Sequence, residues 1–112
     1  MKEDFCNGLS EAQAERLAVL AEECGEVVAI AGKVLRHGYE SCNPHTQEYN
    51  RALLEHEIAD VLGVVRMMID AADVSGDEIA EIAEGVWERK ARYLHHQNFE
   101  RLRERVGRAL VL

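Results

Sequence analysis

The sequence predicts an all-α fold, a bundle of about four helices formed by a single domain over residues 1–112. Strong helix formers such as Ala, Leu, Glu and Arg are abundant, and there is only one proline. No segment alternates apolar and polar residues regularly enough to indicate a sheet. At this length the chain can form one hydrophobic core but not two. The core is expected to span about 10–97, followed by a basic helix over about 98–110.

The first predicted helix spans residues 11–36. Ser10 followed by Gln13 has the pattern of a capping box at a helix start, and Gly38 is typical of a residue just past a helix end. An apolar stripe along this helix is expected to face the core. It consists of Leu17, Leu20, Cys24, Val27, Ala31 and Val34.

Residues 37–45 combine Gly, Asn and Pro and are predicted to form a connection. Asn43 and Pro44 are expected to open the second helix, because Pro is tolerated at the first helical position. This helix is expected to end near Ala72 or Asp73. Its apolar arc is wide, so we expect it to contact more than one neighbour. The predicted buried side consists of Leu54, Ile58, Val61, Leu62, Val65, Met68 and Ile69.

Ser75 and Glu78 form another capping-box pattern, which predicts a third helix from this point to about His95. Its apolar positions are Ile79, Ile82, Val86, Tyr93 and Leu94. Asn98 is expected to cap a short, basic fourth helix over 99–109.

Charge and cysteine content exclude several classes of protein. The net charge of −8 argues against sequence-independent binding of nucleic acid, which depends on neutralising phosphates. Residues 89–112 are basic, and we expect them to pack against acidic surface of this or a neighbouring protomer, or to help hold an anionic ligand. Three cysteines without a C-x-x-C pair are expected to be free thiols. The sequence shows no signal peptide and no membrane-length apolar run, so a cytoplasmic protein is expected.

Two acidic pairs lie where these helices should be apolar. Glu23 and Glu26 are three residues apart in the first helix, and Glu57 and Asp60 have the same spacing in the second. Side chains three apart on a helix lie on one face and can share a ligand. Glu57 in particular projects at the same helical angle as the core-facing positions 64 and 68.

Carboxylates that converge in a partly buried space either have a pKa raised until they are neutral or need a compensating positive charge. All-oxygen ligands are hard donors that suit Mg²⁺, Mn²⁺ or Ca²⁺. Mg²⁺ is the expected ion, with Mn²⁺ as a substitute, because Mg²⁺ fills the rest of its coordination shell with water and substrate phosphate. The alternative is four solvated or ion-paired surface acids.

Two lysines are candidate phosphate ligands. Lys90 falls on the apolar stripe of the third helix, so it either extends outward to solvent or faces the acidic cavity, where it could hold a phosphate. Lys33, seven residues beyond Glu26, is the second candidate or else an ordinary exposed lysine.

Over about residues 10–97, these motifs resemble those of the MazG-like all-α nucleoside-triphosphate pyrophosphatases, a superfamily that includes dimeric dUTPases and phosphoribosyl-ATP pyrophosphatases. Residues 22–26 fit E-E-x-x-E, residues 57–60 fit E-x-x-D, and the basic residues 90–92 lie in the later helix. The resemblance implies Mg²⁺-dependent hydrolysis of a (d)NTP between its α- and β-phosphates, giving a (d)NMP and pyrophosphate.

The resemblance also implies roles for individual residues. The metal ligands would be Glu23, Glu26, Glu57 and Asp60. Glu23, helped by Glu22, would orient or deprotonate the attacking water. The remaining phosphate charge would be balanced by Lys90, Lys33 and Arg92. His56 stands where many relatives have a second acid, and it is expected to be exposed. The family assembles from two or more chains, so a homodimer or homotetramer is expected.

Two other interpretations remain. A di-iron carboxylate bundle normally needs inward-facing Glu-x-x-His pairs, and neither acidic pair has that histidine. A non-catalytic helical interaction or regulatory protein could use the same acids to set its register or its choice of partner.

Overall fold

The computed structural model describes residues 6–104, and within that range all regular structure is helical, which confirms the all-α prediction. The chain divides into two compact units, Met1–Asp73 and Val74–Leu112. The first contains the two long helices and the second contains short ones. The prediction of a single domain stays a prediction.

Helix α1 spans Glu11–His37 and begins and ends as predicted to within one residue. The Ser10 hydroxyl accepts a bond from the Gln13 backbone N–H at 3.1 Å, and the Gln13 side chain accepts one from the Ser10 N–H at 2.8 Å. At the other end, the Gly38 N–H donates to the Val34 carbonyl. Gly38 has φ +88°, a conformation that other residues rarely adopt, so the chain leaves the helix here.

The prediction that the second helix opens at Asn43 and Pro44 is wrong, because α2 spans Asn50–Asp70. Local hydrogen bonds keep residues 43–48 in a turn. The Asn43 carboxamide oxygen accepts from the His45 N–H at 2.8 Å, and the Gln47 N–H donates to the Asn43 carbonyl at 2.7 Å. This capture of the backbone by an Asn side chain competes with helix formation.

Asn50 holds the start of α2 against the end of α1. It is 1% exposed, and its side-chain amide donates to the Gly38 carbonyl at 3.0 Å. The last turn of α2 also differs slightly from expectation. The helix ends at Asp70, before the predicted Ala72 or Asp73, and Ala72 has φ +62°, which no helix can continue.

Helices α1 and α2 form an antiparallel hairpin, since Asn50 contacts Gly38 at one end and Asp73 pairs with Arg16 at the other. The fully buried apolar side chains of the described residues are Ile30, Val64 and Met68. The predicted stripe of α1 is therefore only partly right. Leu17 is 41% exposed and Cys24 is also exposed, because the line of contact with α2 is displaced toward Ile30.

The predicted buried side of α2 is also only partly right. Met68 is buried, but Ile58 remains 42% exposed, and the rest of the predicted set is half-buried. The arc is wider than a single partner helix can cover.

In the second unit, the prediction of one helix from Ser75 to His95 is wrong. Helix α3 spans Gly76–Glu84, α4 spans Val86–Lys90, and a 3₁₀ turn spans Ala91–Tyr93. Gly85 interrupts the run with φ −93° and ψ 1°, and its N–H donates to the Ile82 carbonyl in a tightened turn. Glycine weakens a helix interior, and the sequence pattern underestimated that cost.

The caps of the second unit follow the prediction more closely. The Ser75 hydroxyl accepts from the Glu78 N–H at 3.2 Å, and the Asn98 side chain accepts from the Arg101 N–H at 3.0 Å. Helix α5 is described over Phe99–Glu104, so the predicted end near residue 109 lies outside the described residues. Phe99 stacks on Trp87, with ring centroids 5.8 Å apart.

Two further expectations concern the surface. The three cysteines are free thiols, as predicted, and all three are exposed. Among the described helices, none combines the length and the apolar character that crossing a bilayer requires.

Candidate metal centre

A group of three carboxylates forms where α1 and α2 face each other. Glu23 comes from α1, while Glu57 and Asp60 come from successive turns of α2. One oxygen from each lies within 4.8 Å of the others, and all three residues are half-buried. The helical spacing therefore brings together three of the four acids predicted to be metal ligands. We refer to Glu23, Glu57 and Asp60 as the carboxylate group.

The donor chemistry of the carboxylate group fits a hard divalent cation. Opposite ligands of an octahedral Mg²⁺, with bonds of about 2.0–2.1 Å, lie about 4.2 Å apart, so small side-chain adjustments would bring the three oxygens onto one ion. Waters and substrate oxygens would have to supply the remaining positions. The group contains no histidine, so the ligand set of a di-iron bundle is absent from it.

The electrostatics of Glu23 reflect the crowding of negative charge. Burial against α2 raises the pKa of Glu23, and the neighbouring carboxylates of Asp60, Glu22, Glu57 and Glu26 raise it further. Both causes disfavour the ionised form. A cation bound here would offset the second cause.

Glu26, the fourth predicted ligand, does not join the carboxylate group. It is exposed and lines a neighbouring cleft of about 190 Å³ together with Lys33 and Glu57. The floor of this cleft is apolar and consists of Ala29, Ile30 and Leu53. Because Glu57 belongs to both the cleft and the carboxylate group, the two form one continuous feature.

Lys33 is the cation of this cleft. It is half-buried, and it forms no ion pair within the described residues. A lysine in this state can neutralise an anion that enters the cleft. Its role as a phosphate ligand stays a prediction.

The remaining predicted site residues are Glu22, Lys90 and Arg92. Glu22 is exposed on α1, and its charge acts on Glu23 through space. Lys90 and Arg92 belong to the second unit and are exposed, and the Arg92 guanidinium lies 5.1 Å from the centre of the Tyr93 ring. Their role as phosphate ligands stays a prediction.

His56 contributes a contact that the sequence interpretation missed. It is exposed as predicted, with 72% of its side chain accessible, yet its Nε2 lies 3.4 Å from Oδ2 of Asp60. The i, i+4 spacing of His56 and Asp60 on α2 was a sufficient signal for this pairing. The contact places an imidazole nitrogen beside one carboxylate of the group.

Comparisons with protein families, curated proteins and solved structures found no significant match to this chain.

Proposed function

We propose that the protein is a Mg²⁺-dependent nucleoside triphosphate pyrophosphohydrolase that cleaves a (d)NTP between its α- and β-phosphates. The observation that carries the proposal is the carboxylate group, in which three acids from two helices converge within 4.8 Å. The paired motifs E-E-x-x-E and E-x-x-D, which resemble those of MazG-like pyrophosphatases, support the same reaction.

In this proposal Glu23, Glu57 and Asp60 hold Mg²⁺, or Mn²⁺ in its place, and Glu26, whose charge acts on Glu23, is the fourth proposed ligand. When bound, the ion supplies charge neutralisation and Lewis-acid polarisation of the phosphates. Oxygen ligands of this kind favour hard divalent ions over softer metals.

Glu23 acts as the general base in this proposal. Burial raises the pKa of Glu23 whether or not an ion neutralises the neighbouring carboxylates, and a more basic carboxylate is a better proton acceptor. Water hydrolyses the anhydride between the α- and β-phosphates, its proton passes to the Glu23 carboxylate, and pyrophosphate leaves. Glu22 assists by adding negative charge beside Glu23.

The cleft beside the carboxylate group receives part of the substrate. Lys33 neutralises phosphate oxygens, with Lys90 and Arg92 as further proposed cations. The nearby apolar floor offers a surface for the less polar part of a nucleotide. The preferred base is left to experiment.

The enzyme is proposed to act in the cytoplasm as a homodimer or homotetramer. Free thiols suit a reducing compartment. The small number of buried apolar side chains among the residues that the structure describes supports assembly from more than one chain.

The test is pyrophosphate release from a panel of common and modified (d)NTPs with Mg²⁺. We expect Glu57→Gln to lower kcat/KM at least roughly 100-fold. Removing a residue that only contacts a metal ligand already lowers metal affinity or activity about 10- to 100-fold, and Glu57 is proposed to be a ligand itself. Glu55→Gln, an exposed acid on the same helix, is the matched control and should stay active. Absence of pyrophosphate release across the panel would contradict the proposal.

A further inference from the structure

The segment before α1 contains an asparagine followed by a glycine, Asn7 and Gly8, and both are exposed. The Asn7 side-chain oxygen Oδ1 accepts a hydrogen bond from the Leu9 backbone N–H at 2.9 Å, which closes an Asx turn over Gly8. This turn lies just before Ser10, the N-cap of α1. Neither Asn7 nor Gly8 belongs to the helix or to the proposed metal centre.

The hydrogen bond makes the Asn7 carboxamide a better electrophile. The Leu9 N–H polarises the bond between Cγ and Oδ1 of Asn7. It also stabilises the negative charge that develops on Oδ1 when a nucleophile adds to Cγ, as backbone N–H groups do in an oxyanion hole. The turn therefore favours addition at Cγ over the unpolarised amide of an open chain.

The Gly8 backbone nitrogen is the nearest nucleophile along the chain. Its attack on Cγ of Asn7 closes a five-membered ring, and an intramolecular reaction of this kind avoids the entropic cost of bringing two molecules together. Gly8 has no Cβ beside this nitrogen, and no described atom beyond its chain neighbours lies within 4 Å of where a Cβ would stand. Among the residues that the structure describes, none accepts a hydrogen bond from the Gly8 N–H.

We propose that Asn7 is a site of spontaneous deamidation in the folded protein. The Gly8 N–H gives its proton to solvent base, the Gly8 nitrogen forms a bond to Cγ of Asn7, and the bond between Cγ and Nδ2 breaks. Nδ2 takes up a proton and leaves as ammonia, so that a succinimide ring remains. Water then opens the ring at either carbonyl and gives aspartate or isoaspartate at position 7. No electrons are transferred in these steps.

The two products affect the start of α1 differently. Aspartate keeps the oxygen that accepts from the Leu9 N–H and adds a negative charge to that hydrogen bond. Isoaspartate carries the main chain through the former side chain, so the geometry that closes the Asx turn is lost. Either product adds one negative charge to a chain whose net charge is already −8. The inference does not depend on the proposed catalytic activity.

The other asparagines of the chain serve as internal controls, because each lacks part of this arrangement. Asn43 makes the same kind of turn, since its Oδ1 accepts from the His45 N–H at 2.8 Å. The next residue is Pro44, however, whose nitrogen carries no hydrogen and cannot close the ring. Asn50 and Asn98 are each followed by a large residue. We therefore expect modification to be concentrated at position 7.

Incubation of the purified protein at mildly alkaline pH, followed by peptide mapping with mass spectrometry, tests the proposal. We expect Asn7 to be converted several-fold faster than Asn43, with isoaspartate among the products and with release of ammonia. The rate should rise with pH, because attack requires the deprotonated Gly8 amide. Conversion of Asn7 no faster than that of Asn43 would overturn the proposal. Conversion to aspartate alone would also overturn it, since direct hydrolysis of the side-chain amide gives no isoaspartate.

Two comparisons test the contribution of the turn. Asn7 should be converted at least as fast in the native protein as in the same chain unfolded in guanidinium chloride, because only the folded chain holds the Leu9 N–H against Oδ1. Gly8→Ala should slow the conversion several-fold, because a methyl group crowds the attacking nitrogen and the φ of +74° disfavours it. Gly63→Ala also adds a methyl group into open space and is the matched control, with an unchanged rate expected. A native rate several-fold below that of the unfolded chain, or an unchanged rate in Gly8→Ala, would overturn the proposal.

Discussion

At the scale of single residues, Glu23 lies in an unfavourable electrostatic environment. Glu23 points at α2, where Glu57 and Asp60 already stand, and its pKa is raised by burial and by their charge. A carboxylate whose pKa is higher in the folded than in the unfolded state binds its proton more tightly when the protein is folded. Its contribution to stability is present below its ordinary pKa of 4.5 and is lost as pH rises through the raised value. At neutral pH without metal, Glu23 therefore destabilises the fold.

Glu23→Gln should raise the melting temperature of the metal-free protein at neutral pH and reduce its decline with pH above 4.5. The amide removes the repelled charge and keeps the shape of the side chain. Thermal denaturation in EDTA across a pH series measures the effect. Glu81→Gln, an exposed acid of α3, makes the same change in net charge and is the control. Equal effects of the two substitutions would show that Glu23 responds only to the net charge of the protein.

His56 gives a second prediction at this scale, which concerns metal affinity. Its Nε2 lies 3.4 Å from Oδ2 of Asp60, so the imidazole stands beside one of the proposed metal ligands. We expect His56→Ala to weaken Mg²⁺ or Mn²⁺ binding by roughly tenfold. This is the lower end of the loss caused by removing a side chain that contacts a metal ligand, and it applies because the side chains of His56 and Asp60 are both substantially exposed. Titration calorimetry measures it, with His45→Ala in the exposed connection as the control. Unchanged affinity would identify His56 as an ordinary surface histidine.

At the scale of elements, one ion pair joins α1 to the turn after α2, at the end of the hairpin opposite the α1–α2 connection. The Arg16 Nε and Nη2 donate to the two carboxylate oxygens of Asp73 at 2.6 and 3.0 Å. Only 19% and 9% of the two side chains is exposed. The hydrogen bond from Arg16 holds the pKa of Asp73 below its usual value. Since two parallel bonds fix orientation as well as distance, this pair ties the turn after α2 to the first half of α1.

Asp73→Asn should destabilise the protein at neutral pH. The lowered pKa of Asp73 means that its contribution is present above pH 3.8, the ordinary value, and is lost as pH falls through the folded-state value. The melting temperatures of variant and wild type should therefore converge in acid, as thermal scans over pH would show. Glu40→Gln breaks the exposed pair with Arg51 and should change little. If the difference in melting temperature between the variant and the wild type were the same at all pH values, the ion pair would not be the source of the destabilisation.

The elements also show how far the sequence determines the structure. Capping residues such as Ser10 and Asn98 located helix starts, and the spacing of Glu23, Glu57 and Asp60 predicted their convergence. The start of α2 was missed because Asn43 bonds its own turn, a choice that depends on local competition rather than on periodicity. The predicted α1 stripe was displaced because an apolar pattern identifies surfaces to be covered without saying which neighbour covers each one.

At the scale of the whole molecule, a divalent salt can stabilise this protein in two ways. It can screen the excess negative charge, and it can bind to the carboxylate group. The net charge of −8 means that any salt relieves general repulsion by screening. Ligation at the carboxylate group would stabilise the folded state by about 1.4 kcal/mol at a free Mg²⁺ concentration ten times Kd. Only the second effect requires the three oxygens that converge within 4.8 Å.

MgCl₂ should therefore raise the melting temperature more than NaCl of equal ionic strength. The extra increase should disappear in Glu57→Gln, because that residue serves both the carboxylate group and the cleft. The metal-free stability of Glu57→Leu should equal or exceed that of wild type, since the substitution removes a partly buried charge that only a cation compensates. Scanning calorimetry of the three proteins in EDTA, NaCl and MgCl₂ makes the comparison. If MgCl₂ and NaCl raised the melting temperature of the wild type equally, the carboxylates would be behaving as ordinary surface charge. A large loss of metal-free stability in Glu57→Leu would indicate that Glu57 has a structural partner.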